Sequence, residues 1–67
     1  MIKVNTDKVI LSRAEASMTV RELSKASNVA ASTISKIEKG HTEPNLITVG
    51  KLAKALGVRV SDLTTTE

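Results

Sequence analysis

Between residues 19 and 40 the chain reads TVRELSKASNVAASTISKIEKG, a stretch punctuated too often to form one continuous helix. Thr19 and Glu22 have the spacing of a capping box, in which hydroxyl and carboxylate satisfy backbone N–H groups reciprocally, so a helix starts here. It covers residues 20–26 and turns Val20, Leu23 and Ala26 inward. Ser27 and Asn28 break it, because Asn tolerates the left-handed backbone of a tight turn, and Val29 plugs that turn into a core. The next helix starts near Ala30, buries Ile34 and Ile37, and ends before Gly40, a residue suited to a left-handed C-cap.

Size decides what can surround this unit. A chain of 67 residues holds one domain, residues 1–67, and buries only roughly 60% of its unfolded surface, so its stability is marginal without a partner. There is no Cys, which excludes disulfides and thiolate metal sites. There is also no Phe, Tyr or Trp, so the core is aliphatic and base stacking on aromatic platforms is excluded. The net charge of +3 permits phosphate binding without demanding it. Apolar runs stop at three residues, too short for a membrane span or a signal peptide.

The flanks supply the remaining helices. Residues 1–5 alternate apolar and polar, the pattern of a short strand or an N-terminal arm. Asn5 or Thr6 caps a first helix that runs to about Ser17, with Val9, Ile10, Ala14 and Met18 as its apolar contacts. After Pro44, Asn45 caps a helix whose Leu46, Val49, Leu52, Ala53 and Leu56 form an amphipathic stripe closed by Gly57. Gly50 interrupts that stripe, as a tolerated surface glycine or a place of close packing. Ser61 caps a last short turn, and residues 64–67 are expected to fray. The fold class is therefore all-α, a compact bundle of four to five short helices.

A groove-reading helix needs an apolar face to anchor it and short side chains near its N-terminus to approach base edges. With Ile34 and Ile37 inward, Ala31, Ser32, Ser35 and Lys36 project outward, and Lys39 extends that face. Ser bonds several base edges, Ala touches a thymine methyl, and Lys36 reaches guanine or a phosphate. Two short helices across a tight turn, the second with this free face, make a helix-turn-helix. The face composition alone fits an ordinary solvated helix equally well. Enzymatic readings are weak: His41 is the lone histidine, in a loop, and no metal-ligand cluster, paired carboxylates or phosphate loop occurs. No catalytic residue, metal, cofactor or small-molecule ligand is expected.

STISKIEKG at residues 32–40 and KLAKALGV at residues 51–58, with the intervening EPNL, closely resemble the phage-repressor-like helix-turn-helix regulators of the Cro/CI and xenobiotic-response-element type. The likeness covers about residues 9–63. It implies a lambda-repressor-like fold and a sequence-specific transcriptional regulator, a repressor, that binds a palindromic operator in double-stranded DNA as a homodimer. By position it assigns base reading to Ala31, Ser32, Ser35 and Lys36. Secondary or phosphate contacts fall at Thr19, Val20, Arg21, Ala30, Thr33, Lys39, His41 and Thr42, and Arg13 and Glu38 form a structural ion pair.

The chain departs from its relatives where Val20 replaces a Gln common there, where Asn28 replaces Gly, and where Ala30 and Ala31 replace a Ser-Arg or Ser-Gln pair. The last change removes a helix cap and a long base-reading side chain, which leaves recognition to Ser32, Lys36, thymine methyls and DNA shape. A dimer would set two reading helices about 34 Å apart. Its interface candidates are the outer face of the Leu46 helix, residues 58–63, and strand addition through Ile2 and Val4. The resemblance also implies a cytoplasmic setting in a prokaryote or phage. The alternative function is a protein-interaction module on the same fold, such as an antitoxin or adaptor.

Overall fold

The structure, a computed structural model, describes residues 1–66. A strand, β1 (Ile2–Val4), is followed by four helices, α1 (Thr6–Glu15), α2 (Val20–Ser27), α3 (Ala31–Glu38) and α4 (Leu46–Leu56). A 3-10 turn (Val60–Asp62) then leads into β2 (Thr64–Thr66). The fold is helical, with a minor two-stranded sheet in which β1 and β2 pair antiparallel, Ile2 opposite Thr66 and Val4 opposite Thr64. The N-terminal segment is thus a strand rather than an arm. Thr64–Thr66, expected to fray, is that strand's partner; Glu67, the rest of the expected tail, lies outside the described residues. Three consecutive β-branched residues favour the extended backbone once a partner strand is present.

Helix ends follow local chemistry. Asn5 caps α1 by accepting the Lys8 N–H at 3.2 Å, and Asn45 caps α4 by accepting the Thr48 N–H at 2.8 Å. Three helices end in the same double closure, in which the left-handed residue and its successor return their N–H groups to the last turn. Gly40 and His41 donate to Ile37 and Lys36 O, and Gly57 and Val58 to Lys54 and Ala53 O. Ser17 and Met18 donate to Ala14 and Arg13 O. Ser17 holds φ 57 there without being glycine, so α1 stops at Glu15, two residues before the expected end. The final turn takes its cap from Asp62, whose carboxylate accepts the Arg59 N–H at 3.0 Å; the sequence places that cap on Ser61.

Val9, Leu23, Ile34, Ile37, Leu52 and Leu63 are fully buried, joined by Val29, Val49 and Ala53. The helix-turn-helix therefore closes over α1, α4 and the C-terminal turn as one aliphatic core. Several positions depart from the sequence reading. Ala26 and Ala14 are exposed, and in α2 it is Ser27, four residues after Leu23, that lies inward. Leu46, the first residue of α4, remains half exposed at the rim of the bundle. Leu63 belongs to the core and offers nothing to an interface. At Gly50 an added Cβ would meet Val60 Cγ2 at 3.9 Å, ordinary contact, so no close approach requires the glycine.

Candidate nucleic-acid interface

The turn between α2 and α3 is built around one buried hydroxyl. Ser27 Oγ donates to Leu23 O at 2.6 Å and accepts the Val29 N–H at 3.2 Å. Asn28 stands between them in the left-handed conformation (φ 61), and Val29 drops into the core. The chain can therefore reverse direction within two residues and present α3 beside α2. The sequence reading counts Ser27 only as a breaker; its helical spacing to Leu23 is the one signal of its inward role.

With Ile34 and Ile37 fully buried, the opposite side of α3 is defined. Ala31, Ser32 and Lys36 are exposed along it or at its edge, Thr33 and Ser35 are half-buried, and Lys39, His41 and Thr42 continue the exposed surface past the helix end. Ser35 is thus a flank of the face rather than its centre. Thr19 and Arg21, at the start of α2, are exposed, and Val20 is half-buried against the core. Every exposed side chain on the N-terminal half of α3 is short, which allows close approach of a flat or concave partner.

The two helix starts differ. At α2 the capping box is complete: Thr19 Oγ1 accepts the Glu22 N–H at 3.0 Å and Glu22 Oε1 accepts the Thr19 N–H at 2.8 Å. These bonds, the backbone one first, hold the Glu22 carboxyl below its ordinary pKa. At α3 the N-cap is Ala30, with no side-chain acceptor. The first N–H groups of α3 therefore remain open to an outside acceptor at the positive end of the helix dipole.

Charge sorts itself the same way. The acids between residues 19 and 45 are Glu22, Glu38 and Glu43, and each is engaged internally. Glu22 closes the capping box. Glu38 holds Arg13 bidentately, Oε2 to Nε at 2.7 Å and Oε1 to Nη2 at 3.0 Å, while Arg13 Nη1 donates to Met18 O at 2.9 Å. The hydrogen bond to Glu38, and after it the charge of Glu38, raise the Arg13 pKa in spite of partial burial. Glu43 accepts the Val4 N–H at 2.8 Å, a contact across 39 residues that no local pattern announces. Arg21, Lys25, Lys36 and Lys39 are exposed and have no ion pair among the described residues, and they outnumber Glu22 and Glu43, whose partners are uncharged backbone N–H groups.

No group of three or more His, Asp or Glu among the described residues is placed to hold a metal. A surface concavity of about 530 Å³ lies between α2 and α4 and is lined by Ala26, Ser27, Lys51, Lys54 and Ala55, without an acid or histidine. Among the described residues no helix is long and apolar enough to cross a membrane.

Among solved structures the chain is similar to an HTH_3 family transcriptional regulator from Vibrio cholerae, with a TM-score of 0.82 at 19% identity. The match covers 85% of this chain and 32% of that one, so it shows the fold, and this chain spans about a third of that protein. No curated protein matches. The helix-turn-helix model matches residues 11–63, which takes in α2, the turn, α3 and α4. The chain therefore belongs to the helix-turn-helix family HTH_3, a family of binding domains and not of enzymes.

Proposed function

We propose that the chain, as one domain over residues 1–67, is a sequence-specific DNA-binding transcriptional regulator whose α3 enters the major groove. The observation that carries this reading is the pairing of short exposed side chains on α3 with the exposed cations Arg21, Lys36 and Lys39, none of which has an ion pair among the described residues. Ala31, Ser32 and Lys36 read base edges, with Ser35 at their flank, and Ala30 and Thr33 stand close by. Phosphate oxygens meet the open N–H groups at the start of α3, then Thr19, Val20 and Arg21, and on the other side Lys39, His41 and Thr42. Arg13 and Glu38 hold α3 against α1 and do not touch DNA.

In this reading the protein is a cytoplasmic repressor that binds a palindromic operator as a homodimer, because two-fold symmetry in the operator mirrors two-fold symmetry in the protein. Selection of bound sequences from random duplex DNA tests reading and symmetry together, and a palindrome is the expected outcome. Ser32→Ala and Lys36→Ala should each weaken operator binding roughly tenfold or more, the size of one base-edge hydrogen bond. If neither changes affinity, α3 is not the reader. A monomer by sedimentation at high micromolar concentration sinks the dimer.

A further inference from the structure

We propose that Glu43 is a positioning residue for DNA binding: by accepting the Val4 N–H it braces the loop between α3 and α4 against the terminal sheet. The proposal rests on the DNA-binding reading above. The loop bears Lys39, His41 and Thr42, the candidate phosphate contacts beyond α3. Its two ends are fixed by their helices, through the N–H groups of Gly40 and His41 on α3 and through the Asn45 cap on α4. Its middle is tied by Glu43 Oε2, 2.8 Å from Val4 N.

The strand geometry explains why Val4 has a donor to give. Asn5 N–H donates to Leu63 O at 2.8 Å, in the same register that sets Val4 opposite Thr64. Bonding alternates along an antiparallel ladder, so the Val4 N–H points away from β2, toward an edge with no further strand among the described residues. An edge N–H without a partner is a site for unwanted pairing, and the carboxylate closes it. One bond thus does two things: it blunts the β1 edge, and it holds the loop at the height of the sheet. The β1–β2 pair, which belongs to neither half of the helix-turn-helix, acquires a role in presenting the phosphate-facing loop.

The sign of the effect separates this role from simple electrostatics. A carboxylate on a DNA-facing loop repels phosphate, so removing its charge alone strengthens binding. Loss of the brace weakens it. Glu43→Gln removes the charge and keeps an acceptor for Val4; Glu43→Ala removes both. On an operator selected with the wild-type chain, Glu43→Ala is expected to bind roughly three- to tenfold more weakly, as for one hydrogen bond of ordinary strength. Its plot of log affinity against log salt becomes shallower by about 0.9 for each phosphate that the loop no longer neutralises, a change that reduced stability alone does not produce. Glu43→Gln is expected to bind as tightly as wild type or more tightly. Amide exchange reads the brace without DNA: the Val4 N–H is protected in wild type and Glu43→Gln and exchanges fast in Glu43→Ala.

Glu43→Ala binding as well as or better than wild type overturns the proposal, as does Glu43→Gln binding as weakly as Glu43→Ala. A wild-type chain that selects no duplex at all overturns the DNA reading and this role with it. That outcome is distinct from an operator that binds wild type and Glu43→Ala alike, which overturns the brace alone.

Discussion

α2 and α3 are eight residues each and lie side by side, yet they are stabilised by different means. α2 is closed locally, by the Thr19–Glu22 box at its start and left-handed Asn28 at its end. α3 begins on Ala30 with no cap and depends on distant groups, Ile34 and Ile37 in the core and Glu38 on Arg13, 25 residues away. A helix that spends its own N–H groups on its cap is a fixed support. A helix whose start is left open must be held from behind, and its front is then available to a partner. This division is what a scaffold helix and a reading helix require of one sequence.

The comparison breaks most severely at the pair that holds α3. Glu38→Ala removes two charge-assisted bonds and leaves Arg13 half-satisfied in a partly buried site, which should cost about 2 kcal/mol. In a domain this small that lowers the thermal midpoint by roughly 10 °C. Urea titration of wild type, Glu38→Ala, Arg13→Ala and the double variant measures the coupling. A coupling near zero means that α3 is held by its isoleucines alone.

A smaller loss is expected where α2 is closed by itself. Thr19→Ala opens the capping box and should cost about 1 kcal/mol. The equivalent change at α3 runs the other way. Ala30→Ser supplies the missing acceptor for the N–H of Ser32 or Thr33 and should gain somewhat under 1 kcal/mol in stability. The same hydroxyl then competes with phosphate for those N–H groups, so DNA affinity should fall as stability rises. A stabilised Ala30→Ser that binds DNA as tightly as wild type would show that the open start of α3 serves no ligand.

These contrasts also show what could be read from the chain. Capping box, Asn28 turn, Val29 plug, inward Ile34 and Ile37 and the Asn45 cap are all local, fixed by spacings of four residues or fewer, and the sequence declares them. Ser17 is local too, but a serine at φ 57 gives no compositional warning, so α1 reads two residues too long. Ala26 and Ser27 exchange places because an alanine fits either side of a helix, and the buried hydroxyl is accepted only through bonds to Leu23 and Val29. The sheet is the real loss. Its strands lie 60 residues apart in the register Val4–Thr64, and a Thr-rich end without a visible partner looks like a tail. Glu43 is hidden for the same reason: the backbone group it binds is known only once β1 has an edge.

The smallest difference between the two helices is one of charge, and pH isolates it. Glu22 has a lowered pKa in the folded chain because it accepts from Thr19. A carboxyl lowered in this way contributes stability that is fully present above its unfolded value, ordinarily 4.5, and is lost as pH falls through the folded value. α3 has no acid in its first turn and nothing to lose there. Glu22→Gln keeps the spacing and the hydrogen-bonding groups of the box while deleting the charge. Thermal midpoints of wild type and Glu22→Gln should therefore differ slightly in wild type's favour at neutral pH, and should converge as the pH falls below 4.5 and the carboxylate takes up its proton. A gap that stays constant across that range would mean that the box closes α2 by geometry alone, and the electrostatic half of the contrast with α3 would disappear.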